Sequence, residues 1–181
     1  MKLFEFEAKN ILRKYSIATP IGRVVKSPAE AREAARQIGR PVVLKAQVLV
    51  GGRGKAGGIQ FANDPNEGEN VASRLIGSSI KGHKVDSLLV EEKLSIGHQF
   101  YTGITIDRQA RRYVVLASVD GGVDIEEVAA SSPDRIARHW VEPGNGLRQT
   151  DAESIVAGFP GLSRHDISRL GSAMASLYKV V

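Results

Sequence analysis

The residues best suited to chemistry lie in one short stretch. Gly51 to Gly58 read Gly-Gly-Arg-Gly-Lys-Ala-Gly-Gly, so five of the chain's 19 glycines fall within eight residues. Gly52 to Gly57 have the G-x-G-x-x-G spacing. A dinucleotide-binding loop of that spacing must open a helix whose N-terminus receives the pyrophosphate. Here the β-like Ile59-Gln-Phe-Ala62 follows instead, cut off by Asn63-Asp64-Pro65. A Walker loop fails as well, because Lys55 precedes Ala56 rather than Ser or Thr. What remains is strand, glycine-rich loop, strand. Such a hairpin can close over phosphates with its backbone N–H groups, glycine permitting close approach and positive φ. A plain exposed hairpin turn would need one or two glycines, and Arg53 and Lys55 add positive charge inside this one.

Lys45 supplies a second argument. It interrupts the apolar run Val42 to Val48, where an unpaired ammonium is costly, so it must meet an anion or reach out to water. A phosphate contact is the favoured reading. Glu91 and Glu92 close another apolar strand, and either face solvent or line a nucleotide cleft. Hydrolytic chemistry finds no support: His83, His98, His139 and His165 share no metal-ligand spacing, and neither H-E-x-x-H nor G-x-S-x-G occurs. Asp124, Glu126 and Glu127 read as the solvated face of a short helix. With no cysteine there is no disulfide, thiolate nucleophile or Cys-based zinc site.

The composition narrows the ligand. The 181 residues are 42% hydrophobic and 25% charged, ordinary values for a globular chain of one domain or two small lobes. Lys and Arg exceed Asp and Glu by 25 to 20, yet they are scattered, form no basic block, and accompany only 6% aromatics. That pattern argues against nucleic acid and for a compact anion such as a nucleotide. No apolar run approaches the ~20 residues of a spanning helix, and Glu5 and Glu7 interrupt any signal peptide. The expectation is a cytoplasmic protein with no membrane partner.

The elements that must position these groups can be read from periodicity and caps. Phe4, Ala8, Ile11, Leu12 and Tyr15 line one face of a helix over about 3–15. A short strand begins at Gly22. Ser27-Pro28 opens a helix that Gly39 ends, and Asp64-Pro65 opens another that Gly77 closes. Strands are expected at 42–48, 59–62 and 85–93, and a hairpin pairs 99–107 with 112–119 around the polar turn Arg108 to Arg111. A short helix follows over 124–129, then one capped at Ser132-Pro133, a strand-like Trp140-Val141 and a turn at Pro143–Gly146. A last helix starts at the approximate capping box Ser163-x-x-Asp166 and turns Ile167, Leu170, Met174 and Leu177 inward. The class is α+β with an antiparallel component.

The segments LFEFEAKNIL, VVLKAQVLVGGRGKAGG, LLVEEKLS and GGVDIEEVAASSPDRI together resemble the β-subunits of the succinate–CoA ligase (succinyl-CoA synthetase) family of ATP-grasp enzymes, along the whole chain. Malate–CoA ligase β-subunits share these motifs, and a truncated nucleotide-binding paralogue is a further alternative. The resemblance implies an ATP-grasp fold over residues 1–181, its smaller lobe about 21–97 and its larger lobe 1–20 with 98–181. It implies ATP/ADP or GTP/GDP as ligand, with Lys45 on phosphate, Gly52, Arg53 and Gly54 in the covering loop, Glu91 and Leu94 at the base, and Gln99 near the ribose. Gln99 stands where the family often has glutamate. The implied partner is an α-subunit carrying the phosphohistidine and the CoA site, so no histidine here is assigned a catalytic role. The family's magnesium ligands and its C-terminal flavodoxin-like domain lie beyond the last helix of this sequence, so this chain by itself is expected to lack both, and with them ligase activity.

Overall fold

The structure, a computed structural model, describes residues 2–142 and 144–181. The chain forms two compact units, Met1–Arg13 with Ala18–Ser95, and Lys14–Ile17 with Ile96–Val181. The first helix therefore belongs, up to residue 13, with the first unit, whereas the resemblance put it in the larger lobe. The cause is electrostatic: its Glu5 and Lys9 are tied to side chains of the first unit's sheet.

The first unit is a four-stranded antiparallel sheet with helices. Its elements are α1 (Glu5–Lys14), β1 (Gly22–Val25), α2 (Pro28–Ile38), β2 (Val42–Ala46), β3 (Ile59–Ala62), α3 (Pro65–Leu75), the two-residue strands β4 (Ser79–Ile80) and β5 (His83–Lys84), and β6 (Leu88–Glu92). The sheet order is β1-β6-β2-β3, so β6 is central although it comes last in the chain. Both long helices start where their caps require: Ser27 accepts from the Glu30 N–H and Asp64 from the Glu67 N–H, each followed by proline at the first helical position. Gly39 ends α2 at φ 68°, a left-handed position that glycine adopts without strain. Val42, Leu44 and Ala46 alternate onto one face of the sheet. There, with Val25, Leu88 and Val90, they bury against the small-residue faces of α2 (Ala31, Ala34, Ala35) and α3 (Val71, Ala72, Leu75). Alternation then sends Val43 and Lys45 to the opposite face.

The second unit contains the hairpin β7 (Tyr101–Asp107) and β8 (Arg112–Ser118), then α4 (Ile125–Ser131), a 3-10 turn (Pro133–Arg135), β9 (Ile136–Val141), α5 (Gln149–Val156) and α6 (Arg164–Tyr178). Its sheet order is β7-β8-β9, antiparallel throughout. Val115, Ala117 and Val141 meet Ala152, Val156 and Met174 in its core. Tyr178, edge-on to Tyr113 at 5.7 Å, packs against that core, where Leu177 was expected.

One local expectation changes, and two elements were not foreseen. Ser132-Pro133 starts one 3-10 turn rather than a helix, because the next residues pair in register with β8. The helix α5 has no Ser, Thr, Asn or Asp cap to announce it. Arg148 takes that position, its side chain and backbone N–H both donating to Asp151. The β4–β5 hairpin is too short for periodicity to reveal. Of the expected turn at Pro143–Gly146, Pro143 lies outside the described residues.

Candidate functional site

The face of the first sheet turned away from its helix-covered core carries charge. In register, Glu91 lies opposite Val43 on one side and Gly22 on the other, and Lys45 lies opposite Leu89 and Ile59. Period-two alternation thus places Glu91 and Lys45 on the same face, one step apart on neighbouring strands. Lys45 Nζ donates to Glu91 Oε2 at 2.9 Å and to Glu5 Oε1 at 2.9 Å. Lys9, one helical turn beyond Glu5, donates to Glu91 Oε1 at 2.5 Å and to Glu5 at 2.7 Å. Arg53 completes the cluster through Glu5 Oε2. Gly22 makes this crossing possible: a Cβ there would lie 2.5 Å from Glu91 Cγ and 2.9 Å from the Val90 carbonyl.

Among the described residues the cluster brings three cations to two carboxylates, a local surplus of one positive charge. Burial is uneven. The Glu91 side chain is 1% exposed, while those of Glu5, Lys9, Lys45 and Arg53 keep between 15% and 20%. Burial pulls the Lys9 ammonium below its ordinary range, with Glu91 opposing and the Lys45 charge adding to the shift. The Arg53 guanidinium is likewise drawn down by burial, against the pull of Glu91. Cations held partly out of water next to a surplus of their own sign attract anions strongly.

The glycine loop lies beside them as a hairpin joining β2 to β3. Gly58 N–H donates to the Arg53 carbonyl at 2.8 Å, Gly57 N–H to the Gly54 carbonyl at 3.0 Å, and the Ala46 N–H to the Gly58 carbonyl at 2.8 Å. Gly52 sits at φ 66°, a left-handed position that glycine adopts without strain, and a Cβ on it would come 2.7 Å from the movable Lys81 Nζ. That ammonium donates to the Gly51 carbonyl at 2.9 Å, tethering the loop to the β4–β5 connection.

Of the residues singled out from sequence, Lys45, Arg53 and Glu91 converge in this cluster, with Gly52 and Gly54 in the adjoining loop. Lys45 does meet an anion, two of them. The side chains of Glu91 and Glu92, read as facing solvent or lining a nucleotide cleft, both pair with cations. Glu91 turns to the lysines, and Glu92, on the other side of the strand, accepts from Arg40 at 3.0 Å and from the Ile21 N–H at 2.9 Å. Leu94 is exposed just past β6. Gln99 belongs to the second unit, where it lines a cleft of about 560 Å³ with Phe100, Asp120 and Gly121. Gly121 is pressed against it: a Cβ would lie 2.6 Å from the Gln99 carbonyl carbon, and the Gly121 N–H donates to that carbonyl at 3.3 Å. Sequence reasoning missed Glu5, Lys9 and Lys81. The first two carry a signal, opposite charges four apart on a helix, which the apolar stripe of α1 overshadowed.

Among the described residues no three His, Asp or Glu side chains converge to hold a metal ion. No helix among them is long and apolar enough to cross a membrane.

The first unit is thus an antiparallel sheet with a glycine-rich hairpin beside a cationic face. The chain belongs to the ATP-grasp domain family, which it matches over residues 2–181. It is 48% identical over 157 residues to a succinate–CoA ligase [ADP-forming] subunit beta of Pyrobaculum aerophilum, covering 87% of this chain and 41% of that protein. It is 41% identical over 181 residues to the succinate–CoA ligase [GDP-forming] subunit beta of Thermus thermophilus, covering 99% and 47%. The chain thus spans less than half the length of these curated relatives. Among solved structures it superposes with a TM-score of 0.78 on the dinucleotide-forming acetyl-coenzyme A synthetase 1 of Ca. Korarchaeum cryptofilum, at 24% identity over 99% of this chain and 80% of that one, a likeness of fold.

Proposed function

We propose that this chain is the nucleotide-gripping part of the β-subunit of a succinate–CoA ligase. Such an enzyme joins succinate to CoA at the expense of ATP or GTP, together with an α-subunit that carries the phosphohistidine and the CoA site. The observation that carries the reading is the placing of Lys45 and Arg53, both partly buried, beside the glycine hairpin with one positive charge in surplus. In this reading Lys45 and Arg53 receive the phosphate oxygens, and the backbone N–H groups around Gly52 and Gly54 close over them. Lys45 serves as a compact point charge, Arg53 as a two-pronged donor. Glu91 holds Lys45 in place from beneath, Leu94 meets the base, and Gln99 bonds a ribose hydroxyl. Phosphoryl transfer is mostly a matter of such positioning and charge compensation, which is the work these residues can do. In this reading the protein works in the cytoplasm.

Binding measured at several salt concentrations tests this. ADP and GDP should bind with a shallow salt dependence, because a mononucleotide offers few phosphates, and single-stranded RNA should not compete. Steeply salt-dependent RNA binding without nucleotide binding would contradict the proposal.

A further inference from the structure

The cluster contains one carboxylate for which nucleotide binding has no direct use. Glu5 touches all three cations: Oε1 accepts from Lys9 at 2.7 Å and from Lys45 at 2.9 Å, and Oε2 takes Arg53. It stands in the first turn of α1, a helix with no fully buried residue, and its side chain is 20% exposed. It also lines an open pocket of about 390 Å³ with Lys2, Val48, Gly51 and Arg53. Glu91 is different in kind. It is fixed in the central strand, 1% exposed, beneath Lys9 and Lys45. An anion arriving from the pocket beside the glycine loop therefore reaches Lys45 and Arg53 by taking the place of the Glu5 oxygens.

We propose that Glu5 is a displaceable internal counter-ion, which occupies Lys45 and Arg53 until a phosphate chain replaces it and which thereby sets the affinity of the site. The identity of the anion as a nucleotide rests on the function proposed above; the exchange itself rests on the geometry of the cluster. With Glu5 withdrawn, three cations face one carboxylate, a charge that a di- or triphosphate balances better than a single carboxylate does. No covalent bond changes. Glu5 is a positioning residue: it keeps the cations gathered and neutralised while no ligand is bound, and competes with the ligand for them.

The variant Glu5→Gln keeps the shape and removes the charge. It should bind ADP and inorganic tripolyphosphate about five-fold more tightly than the wild-type chain at low salt, the gain expected from deleting a partly exposed ion-pair competitor. The gain should shrink as salt rises. A purely structural role for Glu5 predicts the opposite, weaker binding, and a folded variant that binds tripolyphosphate no more tightly than wild type overturns the proposal. A second measurement needs no variant. Hydrogen exchange of the wild-type chain saturated with tripolyphosphate should slow at residues 51–58 and quicken at residues 6–9, where α1 loses its tether. Unchanged or slower exchange at 6–9 overturns the proposal independently of any folding defect. The two readings can fail separately. Wild-type chain that ignores ADP but shows this tripolyphosphate response loses the nucleotide assignment and keeps the counter-ion. Chain that binds ADP with the same affinity whether residue 5 is Glu or Gln keeps the nucleotide and loses the counter-ion.

Discussion

The two units use the same chemical group, the carboxylate, in opposite ways. In the first, Glu91 is 1% exposed and lies with Glu5 among Lys9, Lys45 and Arg53, drawn from a helix, two strands and a loop. In the second, Asp107, Asp151 and Asp166 are half-buried and each serves the backbone or a side chain nearby in its own unit. Asp107 accepts from the Gln109 and Ala110 N–H groups and from Trp140 Nε1, Asp151 from Arg148, and Asp166 from Ser163. Hydrogen bonds hold all three acids below the usual carboxylate range. The difference separates two meanings of charge. A carboxylate that satisfies its own turn is local architecture. Carboxylates from distant parts of the chain that meet several cations out of water are held at a cost in stability that local structure does not require, and on that ground we propose the cluster as a place for another anion.

The comparison is broken most forcefully at Glu91. Glu91→Gln leaves the volume in place but removes the buried charge that Lys9 and Lys45 share, leaving both to Glu5, and should destabilise the first unit by about 3 kcal/mol, the lower end for breaking a buried pair because Glu5 and some water remain to both lysines. Urea unfolding followed by circular dichroism would register it; a loss no larger than that of an exposed ion pair would mean the cluster is effectively solvated. A smaller effect is expected in the second unit. Ser163→Ala removes the hydroxyl that accepts from the Asp166 N–H at the start of α6, and should cost about 1 kcal/mol without touching the first unit.

The smallest effect concerns Asp107. Its folded value lies below the ordinary aspartate value, first through the Ala110 N–H and then through Trp140. Its contribution to stability is therefore complete above the unfolded value and lost as pH falls through the folded one. The stability difference between wild type and Asp107→Asn should narrow as pH falls from 5 to 2. Trp140, the chain's single tryptophan, should report the loss of its hydrogen bond as a change in fluorescence over the same range. A difference that stays constant with pH would remove Asp107 as the titrating group.

The sequence announces structure where a signal is local. Ser27-Pro28 with Gly39, and Asp64-Pro65, mark helices whose caps stand where they were read. The glycine density at 51–58 and the lone lysine in an apolar strand were enough to find Lys45 and the loop. The identity of the lysine's partners was not legible. Glu5 is 40 residues from Lys45, and Lys9 is 82 from Glu91, separations that only the sheet order β1-β6-β2-β3 brings together. Glu91 illustrates the same limit. A glutamate closing an apolar strand offered two readings, and its actual environment depended on which helix lay over that face. Lys81 was hidden because its hairpin has only two residues per strand, and α5 because an arginine stands at its cap.

The central claim, that this cationic cluster is a phosphate site, is tested most directly by calorimetric titration of ADP into wild-type chain and into Lys45→Ala, with circular dichroism confirming that both are folded. Lys45 keeps 20% of its side chain exposed and Glu91 retains Lys9 as a partner, so the variant should fold. The account predicts binding by the wild type and an affinity at least about tenfold lower in the variant, the worth of one charge-assisted contact to phosphate. An unchanged affinity in a folded Lys45→Ala chain would contradict it.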